Sequence, residues 1–326
     1  MPDVFAVAEV ENRYVLRRLI EDTMIRKYGY EIVHYDSPDP RGIDVALLYR
    51  PQTLELLESR PVRVHGTAPS PSVPGSAAAA PEPAVLVTRD ILMTKFRLSD
   101  QGGDRLLDQG AAVLVAGDTL AVLVNHHPSK YGGGDTDWRR DAALARLKAL
   151  KDSLVTAGVS KIVATGDFND TPENTRFQAD TLCPFVNLAS PLSARGEGSI
   201  RFNGRWQLID MFLVTPSLLG SPPLLGSRVA APPTAPAGRD THHDGSAVEM
   251  EILHPPFLTV RDNVHSGDKP LRTYSGPRYI GGVSDHRPVI LRLGLGPALE
   301  PVPDPAFSDR EGSSANGGPG SVDKKE

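Results

Sequence analysis

The sequence predicts an α/β protein in which mixed β-sheets are layered with helices. Short apolar runs of strand length alternate with two longer segments of helical periodicity, and several strand-like runs follow one another with no helix between them. The alternation is typical of α/β proteins, whereas the consecutive strands argue against a purely doubly wound parallel sheet. With 326 residues, 40% of them hydrophobic and 23% charged, the chain can bury a core of ordinary size.

Each predicted element has a local reason in the sequence. The apolar runs predict strands over residues 4–10, 30–35, 43–49, 85–97, 112–116, 119–125, 161–165, 208–215 and 288–293. A first helix is predicted over residues 12–27. A second helix is predicted over 137–157, where Ala143, Leu147, Leu150 and Leu154 share one face and Gly158 follows.

Composition predicts one domain over residues 1–295, interrupted by flexible insertions near 66–84 and 219–247. Both insertions are rich in Pro, together with Ala and Ser or Gly, so neither has an apolar period that would bury it. Residues 296–326 contain mainly Pro, Gly, Ser and charged residues, and we expect a disordered tail.

Charge and cysteine content exclude few function classes. The net charge of −5 gives no support to nonspecific nucleic-acid binding, although a local basic groove can lie on an acidic protein. No series of aromatic residues suited to stacking bases is evident. The single cysteine, Cys183, rules out an intrachain disulfide. No apolar run reaches the ~20 residues of a membrane span, and the first residues do not form a signal peptide.

Two motifs place acidic and amide side chains at the ends of predicted strands. In Gly166-Asp167-Phe168-Asn169-Asp170, a buried strand ends in a carboxylate and an amide that suit a phosphate and a hard cation. The same residues also fit an ordinary Asn/Asp turn. Glu9 ends the first strand and suits a metal ligand, although its neighbours Glu11 and Asn12 suit a helix cap.

Two further motifs suit acid–base chemistry. Asp285 and His286 are adjacent before the last strand, where the carboxylate can hold a metal and the imidazole can accept a proton. Asp210 interrupts an apolar strand, and because a buried unpaired charge is costly, we expect a histidine partner. A solvated loop and a strand-edge aspartate are the structural alternatives.

Three cationic groups are weaker candidates. His126 follows a strand and could steady a phosphate oxygen, and Arg89 could clamp phosphate with its planar guanidinium, although single residues of either type are usually structural. Trp138, Arg139 and Arg140 could meet a polyanion, but they also fit the solvated start of a helix. A zinc site using His126, His127, His242 and His243 has little support, because these residues lack a compact ligand spacing.

Taken together and in this order, the motifs resemble the endonuclease/exonuclease/phosphatase superfamily, which includes deoxyribonuclease I. The resemblance covers residues 4–293 apart from the insertions. It is strongest to a bacterial branch reading CEVEN, RGIDVALLY, TRDIL, NHWPSR, GDFND, LIDQF and RTYxGxxYxGGxSDHxPV. This chain has AEVEN, RGIDVALLY, TRDIL, NHHPSK, GDFND, LIDMF and RTYSGPRYIGGVSDHRPV.

The resemblance implies a four-layer α/β sandwich, in which two packed mixed sheets lie between outer helices. It implies a hydrolase that uses Mg²⁺ or Mn²⁺ to cut phosphodiester bonds, with DNA or RNA first among the substrates. A phosphatase or a phospholipid phosphodiesterase on the same scaffold is the alternative within enzymes. A catalytically impaired binding protein is the alternative from another class.

The resemblance also implies roles for particular residues. Glu9 and Asp285 would hold the metal, and His286 would be the general base oriented by Asp210. The remaining candidates would position water or stabilise the phosphoryl group: Asp167, Asn169, His126 and Arg89. The superfamily usually begins with a strand bearing an Asn, for which residues 1–8 leave no room, so we expect an exposed sheet edge and an impaired site. A lost upstream segment could also have carried a secretion signal.

Overall fold

The computed structural model describes residues 1–68, 85–99, 113–130, 136–178, 185–219 and 248–296. Apart from residues 66–68, 219 and 296, the predicted insertions and tail lie outside the described residues, as do Cys183, His242 and His243. The division into one domain and a tail therefore stays a prediction.

The described residues contain few helices and many short strands. The α-helices are α1 (Arg13–Glu21), α2 (Asp137–Thr156) and α3 (Ser190–Ala194), and 3₁₀ turns cover Met24–Tyr28, Thr175–Phe177, Pro216–Leu218 and Pro256–Leu258. The strands in chain order are β1 (Val4–Val10), β2 (Glu31–His34), β3 (Asp44–Tyr49), β4 (Leu54–Val62), β5 (Ile91–Leu98), β6 (Leu114–Val115), β7 (Thr119–His126), β8 (Lys161–Asp167), β9 (Val186–Asn187), β10 (Ile200–Phe202), β11 (Arg205–Gln207), β12 (Asp210–Val214), β13 (Val248–Ile252), β14 (Thr259–Arg261), β15 (Asp268–Pro270), β16 (Tyr274–Ser275), β17 (Arg278–Tyr279), β18 (Val289–Leu293) and β19 (Leu295–Gly296).

Two sheets form the centre of the protein. The larger is a six-stranded mixed sheet of order β4-β5-β7-β8-β12-β9, in which β7 and β8 are parallel. The smaller has the order β1-β3-β2 and is antiparallel throughout, with β1 at one edge. The strands β13 and β18 pair with each other in a separate antiparallel ribbon.

The buried side chains divide the protein into four layers. Leu147 and Leu150 of α2 pack with Ile162 on the outer face of the large sheet. Leu47 of the small sheet packs with Phe96 of the large sheet between the two sheets. Other residues of the small sheet pack with Leu16 of α1, as Ala46 and Leu48 do. The order is therefore helix, sheet, sheet, helix, which confirms the predicted α/β sandwich, and no described helix is long and apolar enough to cross a membrane.

Local chemistry explains where the predicted first helix differs from the observed one. Asn12 caps α1 by accepting a hydrogen bond from the Val15 amide at 3.1 Å, as its position in the sequence suggested. The helix ends at Glu21 because Thr23 caps a separate 3₁₀ turn, which Gly29 closes in the left-handed conformation at φ +62°. Residues 12–27 are thus two elements instead of one.

The strand pattern differs from the prediction at the start of β5, at the nine-residue strand β4, at β13 and at several short hairpins. The strand predicted over 85–97 is regular only from Ile91, and the residues before it form a loop that carries Arg89. The strands β4 and β13 were not predicted, because their apolar residues alternate with charged ones on half-exposed faces. Short hairpins such as β10–β11 carry too few apolar residues to be recognised.

Candidate functional site

Three neighbouring strands of the large sheet each contribute one titratable side chain, and the three side chains lie side by side in a row. His126 ends β7 and is the register partner of Asp167, which ends β8. Asp167 is in turn the register partner of Asp210, which begins the antiparallel strand β12. Directly opposed residues on neighbouring strands share a face of the sheet. Val124 lies in the core between the two sheets, and it precedes His126 by two residues in β7. Side chains two positions apart in a strand point to the same face, so the row faces the small sheet.

Asp210 has the histidine partner that its burial predicted. His286 donates from Nδ1 to Oδ2 of Asp210 at 2.7 Å, which leaves its Nε2 for another group. The backbone of His286 reaches this position through a bridge to Ile200. Burial alone would lower the pKa of His286, but Asp210, Asp167 and Asp285 together raise it to about 10. In the absence of a cation, His286 is therefore protonated at neutral pH.

Asp167 is the carboxyl group with the strongest shift in this row. Burial and the neighbouring negative charge of Asp210 raise its pKa to about 7, against the smaller opposing effect of His286. Its proton is therefore exchanged near neutral pH, which is the range where a group can both accept and donate during catalysis.

The turn after Asp167 is locally constrained. Asn169 has φ +52°, and its amide N–H donates to Oδ1 of Asp167 at 2.7 Å. Its side chain donates to the carbonyl of His127 at 2.9 Å. Gly166 has φ +130°, and a Cβ there would lie 1.9 Å from the carbonyl oxygen of Asn125, so only glycine fits. These contacts hold Asp167 and Asn169 in fixed orientations.

Asp170 anchors the same turn from the inside. Its carboxylate is fully buried and forms ion pairs with Arg176, with Arg140 at 3.6 Å and with Lys130 at 2.7 Å. The side chain of Arg140 is 2% exposed, so this residue braces the turn and does not face solvent, contrary to both of its interpretations, as part of a polyanion-binding helix start and as part of a solvated one. The sequence did not indicate this burial, because a charged residue at a helix start is usually solvated.

His126 lies beside Asp167 in a neutral form. Its Nε2 is 3.6 Å from Oδ2 of Asp167, and its buried Nδ1 has no hydrogen-bond partner among the described residues. Burial, followed by the nearby charges of Arg89 and Arg41, lowers its pKa to about 2. His126 can therefore act at this position as a neutral hydrogen-bonding group.

Arg89 is buried behind the row. It is 4% exposed, and its terminal nitrogens donate to Asp39 at 2.8 Å and to the His127 carbonyl at 2.7 Å. That carbonyl also accepts from Asn169, so Arg89 supports the site through the backbone. A direct clamp on phosphate stays a prediction for Arg89. Arg41 binds the other side of Asp39, and its side chain is 53% exposed, so it offers a guanidinium to solvent at this edge.

Glu9 is held in an unusual backbone conformation. It has φ +59°, and the pairing of β1 with β3 shifts register between Ala8 and Val10, so Glu9 forms a bulge. A left-handed glutamate is strained, and bulges of this kind redirect a side chain. Glu9 is exposed, and no described residue forms a hydrogen bond or an ion pair with its carboxylate. Such a free carboxylate suits a hard cation.

Asp285, the second predicted metal ligand, faces Arg272. Their closest atoms are Oδ2 and Nη2 at 3.5 Å, and the Asp285 side chain is 46% exposed. Its negative charge is also one of the charges that raise the pKa of His286. Asp285 therefore lies beside the His286–Asp210 pair with oxygen atoms that are accessible from solvent.

A group of potential metal ligands that the sequence reasoning missed lies next to Glu9. Within the described ranges, His34, Asp36 and Asp44 present ligand atoms within 4.8 Å of one another, and Asp44 pairs with Val10 across the sheet. Asp44 already accepts from His34 at 3.0 Å and from the Ser37 amide at 2.8 Å. These hydrogen bonds give the group a structural role, because they stabilise the connection between β2 and β3.

Ser199 is a second residue that sequence reasoning missed. It is fully buried, and its Oγ accepts from the amides of Ile209 and Asp210, both at 3.3 Å. Its carbonyl accepts from the Arg287 amide at 2.7 Å. Ser199 therefore joins the strand of Asp210 to the segment of His286, and the sequence carries no signal for it because a lone serine in a loop is common.

Comparison with known proteins identifies relatives. The sequence model described as the Endonuclease/Exonuclease/phosphatase family matches residues 1–223. This family consists mostly of hydrolytic enzymes, among them nucleases, phosphatases and phosphodiesterases, which are typically dependent on a divalent metal. No curated protein matches the chain.

Solved structures with a similar fold have low sequence identity. TDP2 from D. rerio, complexed with a single-strand DNA product, is 13% identical with a TM-score of 0.45, covering 89% of this chain and 84% of that chain. An endonuclease/exonuclease/phosphatase family protein from Bacteroides thetaiotaomicron is 15% identical with a TM-score of 0.45, covering 89% and 81%. The human Nocturnin catalytic domain with bound sulfate is 16% identical with a TM-score of 0.43, covering 66% and 69%.

Proposed function

The chain belongs to the endonuclease/exonuclease/phosphatase family, and on that premise we propose that it hydrolyses phosphodiester bonds with a bound divalent metal ion, as a nuclease-type hydrolase. The observation that carries the proposal is the His286–Asp210 pair, joined through the register of the sheet to Asp167 and His126. An imidazole oriented by a carboxylate beside a second, shifted carboxyl group is suited to activating water and protonating a leaving oxygen.

Each predicted site residue has a role in the proposal that fits its surroundings. His286 removes a proton from the attacking water through Nε2, while Asp210 fixes the tautomer through Nδ1. Asp167, with its pKa near 7, donates a proton to the leaving oxygen. Asn169 positions the attacking water by accepting its hydrogen bond at Oδ1, because the side-chain N–H groups of Asn169 are already donated to the His127 carbonyl and to Asp167. His126 hydrogen-bonds a phosphoryl oxygen as a neutral group, and such a fixed donor stabilises charge that develops in the transition state.

The residues proposed to hold the metal fit a hard cation. Glu9 and Asp285 offer accessible carboxylate oxygens, which are the donors that Mg²⁺ and Mn²⁺ prefer. When bound, the cation would polarise a phosphoryl oxygen and offset the negative charge that raises the pKa of His286. The strained backbone of Glu9 supports this assignment, because such strain is concentrated at functional sites.

Arg41 is proposed as the cation that meets the phosphate group. Both arginines bind Asp39, but the side chain of Arg41 is half-exposed, whereas that of Arg89 is buried and also donates to a backbone carbonyl. Arg89 then has a positioning role, because it holds the His127 carbonyl to which Asn169 is bonded.

The test is hydrolysis of bis-p-nitrophenyl phosphate, p-nitrophenyl phosphate and plasmid DNA with Mg²⁺ or Mn²⁺, with and without chelator. The proposal expects diester cleavage that chelator abolishes and that His286→Ala lowers by at least about 100-fold, in line with general-base catalysis. The matched control is His265→Ala, which removes a half-exposed histidine paired with Asp262 and is expected to change little.

The other outcomes have distinct meanings. Cleavage of the monoester alone would identify a phosphatase instead of a diesterase. Absence of metal-dependent turnover from a folded chain would reject the proposal in favour of a binding protein. Turnover that survives His286→Ala would reject the assignment of the base.

A further inference from the structure

A short hairpin lies in the sequence directly before Asp285 and His286 of the candidate site. The strands β16 and β17 form this hairpin arm, defined here as residues 271–283, and Gly276 and Pro277 make its turn. The arm is closed at its base by hydrogen bonds from the Val283 amide to the Leu271 carbonyl at 3.1 Å and from the Ile280 amide to the Thr273 carbonyl at 2.9 Å. Asp285 follows the last residue of the arm by two positions, so the arm and the site are adjacent in the chain.

Arg272 ties the base of the hairpin arm to the site. Its guanidinium lies 3.5 Å from the carboxylate of Asp285. Tyr274 follows Arg272 by two residues, a distance of about 7 Å along an extended chain. The backbone of Tyr274 therefore lies within about 7 Å of the residue that contacts Asp285, the neighbour of His286 in the chain.

The arm exposes an aromatic pair. Tyr274 and Tyr279 are cross-strand register partners, and their ring centroids are 5.6 Å apart at an interplanar angle of 67°. They are 56% and 66% exposed, so each ring presents most of its surface to solvent. A pair that served only to stabilise the hairpin would gain more by packing on the body of the protein, and exposed rings of this kind are typical of binding surfaces.

The charge of the arm suits a polyanion. Residues 271–283 contain Arg272 and Arg278 and no acidic residue, although the whole chain has a net charge of −5. Arg278 is exposed and directly precedes Tyr279. Arginine beside exposed aromatic rings is the combination that binds single-stranded nucleic acid, in which bases stack and phosphates meet cations.

A lipid surface fits the arm less well. The tip of the hairpin is Ser275, Gly276 and Pro277, which offers no large apolar side chain for insertion into a bilayer. Ile280 and Val283 are also exposed, but they lie further from the tip, where their amides donate to the Thr273 and Leu271 carbonyls.

We infer that the hairpin arm binds single-stranded nucleic acid, with Tyr274 and Tyr279 stacking on bases next to the phosphate that lies at His286. The inference rests on the proposed phosphodiesterase function and names the substrate class for the same site. It also revises the sequence-based expectation that no stacking aromatics are present, because the hairpin brings together two tyrosines that are five positions apart in the chain.

The experiment measures binding without turnover. Fluorescence anisotropy would follow a labelled thymidine oligonucleotide and an abasic oligonucleotide of equal length on the full chain carrying His286→Ala. The expected result is at least about tenfold tighter binding of the base-bearing strand, as stacking on aromatic residues provides. Tyr274→Leu with Tyr279→Leu should abolish this preference, and the matched Tyr274→Phe with Tyr279→Phe should keep it.

Further variants separate stacking from charge and folding. Arg278→Gln should weaken binding of both oligonucleotides by a similar factor while the base preference remains. Far-ultraviolet circular dichroism of the leucine pair checks the fold, and retention of the preference in the phenylalanine pair shows that the hairpin geometry is intact.

Either of two results with the oligonucleotides would overturn the inference: equal binding of the two oligonucleotides by the parent protein, or a leucine pair that keeps the preference. Binding to phosphatidylglycerol vesicles that depends on the two tyrosines, without oligonucleotide binding, would also overturn it and identify a lipid partner. A base preference without any hydrolysis would reject the enzyme proposal alone, whereas diester hydrolysis without a base preference would reject the hairpin proposal alone.

Discussion

Replacement of Asp39 tests whether the buried ion pair behind the site stabilises the fold. The carboxylate of Asp39 accepts from Arg89 at 2.8 Å, and both side chains are 4% exposed. Burial alone would raise the pKa of Asp39, but hydrogen bonds from Arg41 and Arg89 lower it from 3.8 to about 2. A decrease of roughly 2 pKa units corresponds to about 2.5 kcal/mol of folding free energy.

Asp39→Asn should therefore lower the free energy of unfolding by about 3 kcal/mol at neutral pH, because it also leaves the charge of Arg89 buried without a counter-ion. The pKa is lower in the folded state, so the contribution is fully present above the unfolded pKa of 3.8 and is lost as the pH falls through about 2. The difference in stability between parent and variant should shrink over that window.

The assay is urea unfolding followed by circular dichroism at pH 7, repeated at the lowest pH where the parent remains folded. Asp22→Asn is the matched control, because Asp22 pairs with Arg18 on the surface, where the two side chains are 44% and 56% exposed. The control should change stability by less than about 0.5 kcal/mol. An Asp39→Asn variant no less stable than this control would refute the reasoning.

Three further substitutions test the strained and buried groups of the site. Glu9→Gly should raise the free energy of unfolding by about 1 kcal/mol, because glycine accepts φ +59° without strain, while metal-dependent turnover falls; a lower melting temperature would contradict the strain. Ser199→Ala should lower kcat on the order of 10-fold with little change in KM, because the strand of Asp210 loses its acceptor; an altered KM alone would contradict a positioning role. His127→Phe should stabilise the fold by about 1 kcal/mol in urea unfolding, since both ring nitrogens of this fully buried histidine lack hydrogen-bond partners among the described residues and its ring already contacts Phe168; a loss of stability would show that the pocket is too small.

Part of the site could be predicted because strand chemistry is local. A carboxylate within an apolar run, as at Asp210, requires a partner wherever the strand lies, and His286 is the partner in the structure. Asp167 ends a buried strand, so it lies where the sheet meets its connecting loops, whatever the order of the strands. The α/β layering was predictable for the same reason, since the period of Ala143 and Leu147 describes a helix with one apolar face.

The contributions of Arg89, Arg140 and Ser199 could not be predicted in this way. A guanidinium looks the same in the sequence whether it faces phosphate or is buried against Asp39, 50 residues away in the chain. The free energy of a charge depends on how much water surrounds it, and only the packing of distant segments determines that quantity.

The sequence by itself therefore determined the long helix α2, the strongly apolar strands β1, β3, β7, β8 and β12, the family and the set of chemically capable side chains, because these depend on periodicity and residue type. The tertiary structure alone decided which of those side chains meet, through the alignment of His126, Asp167 and Asp210 on neighbouring strands and the bulge at Glu9. It also paired Tyr274 with Tyr279 beside the site. The physical reason is that register, burial and ion pairing arise between segments distant in the chain, whereas a sequence pattern reports only on neighbours.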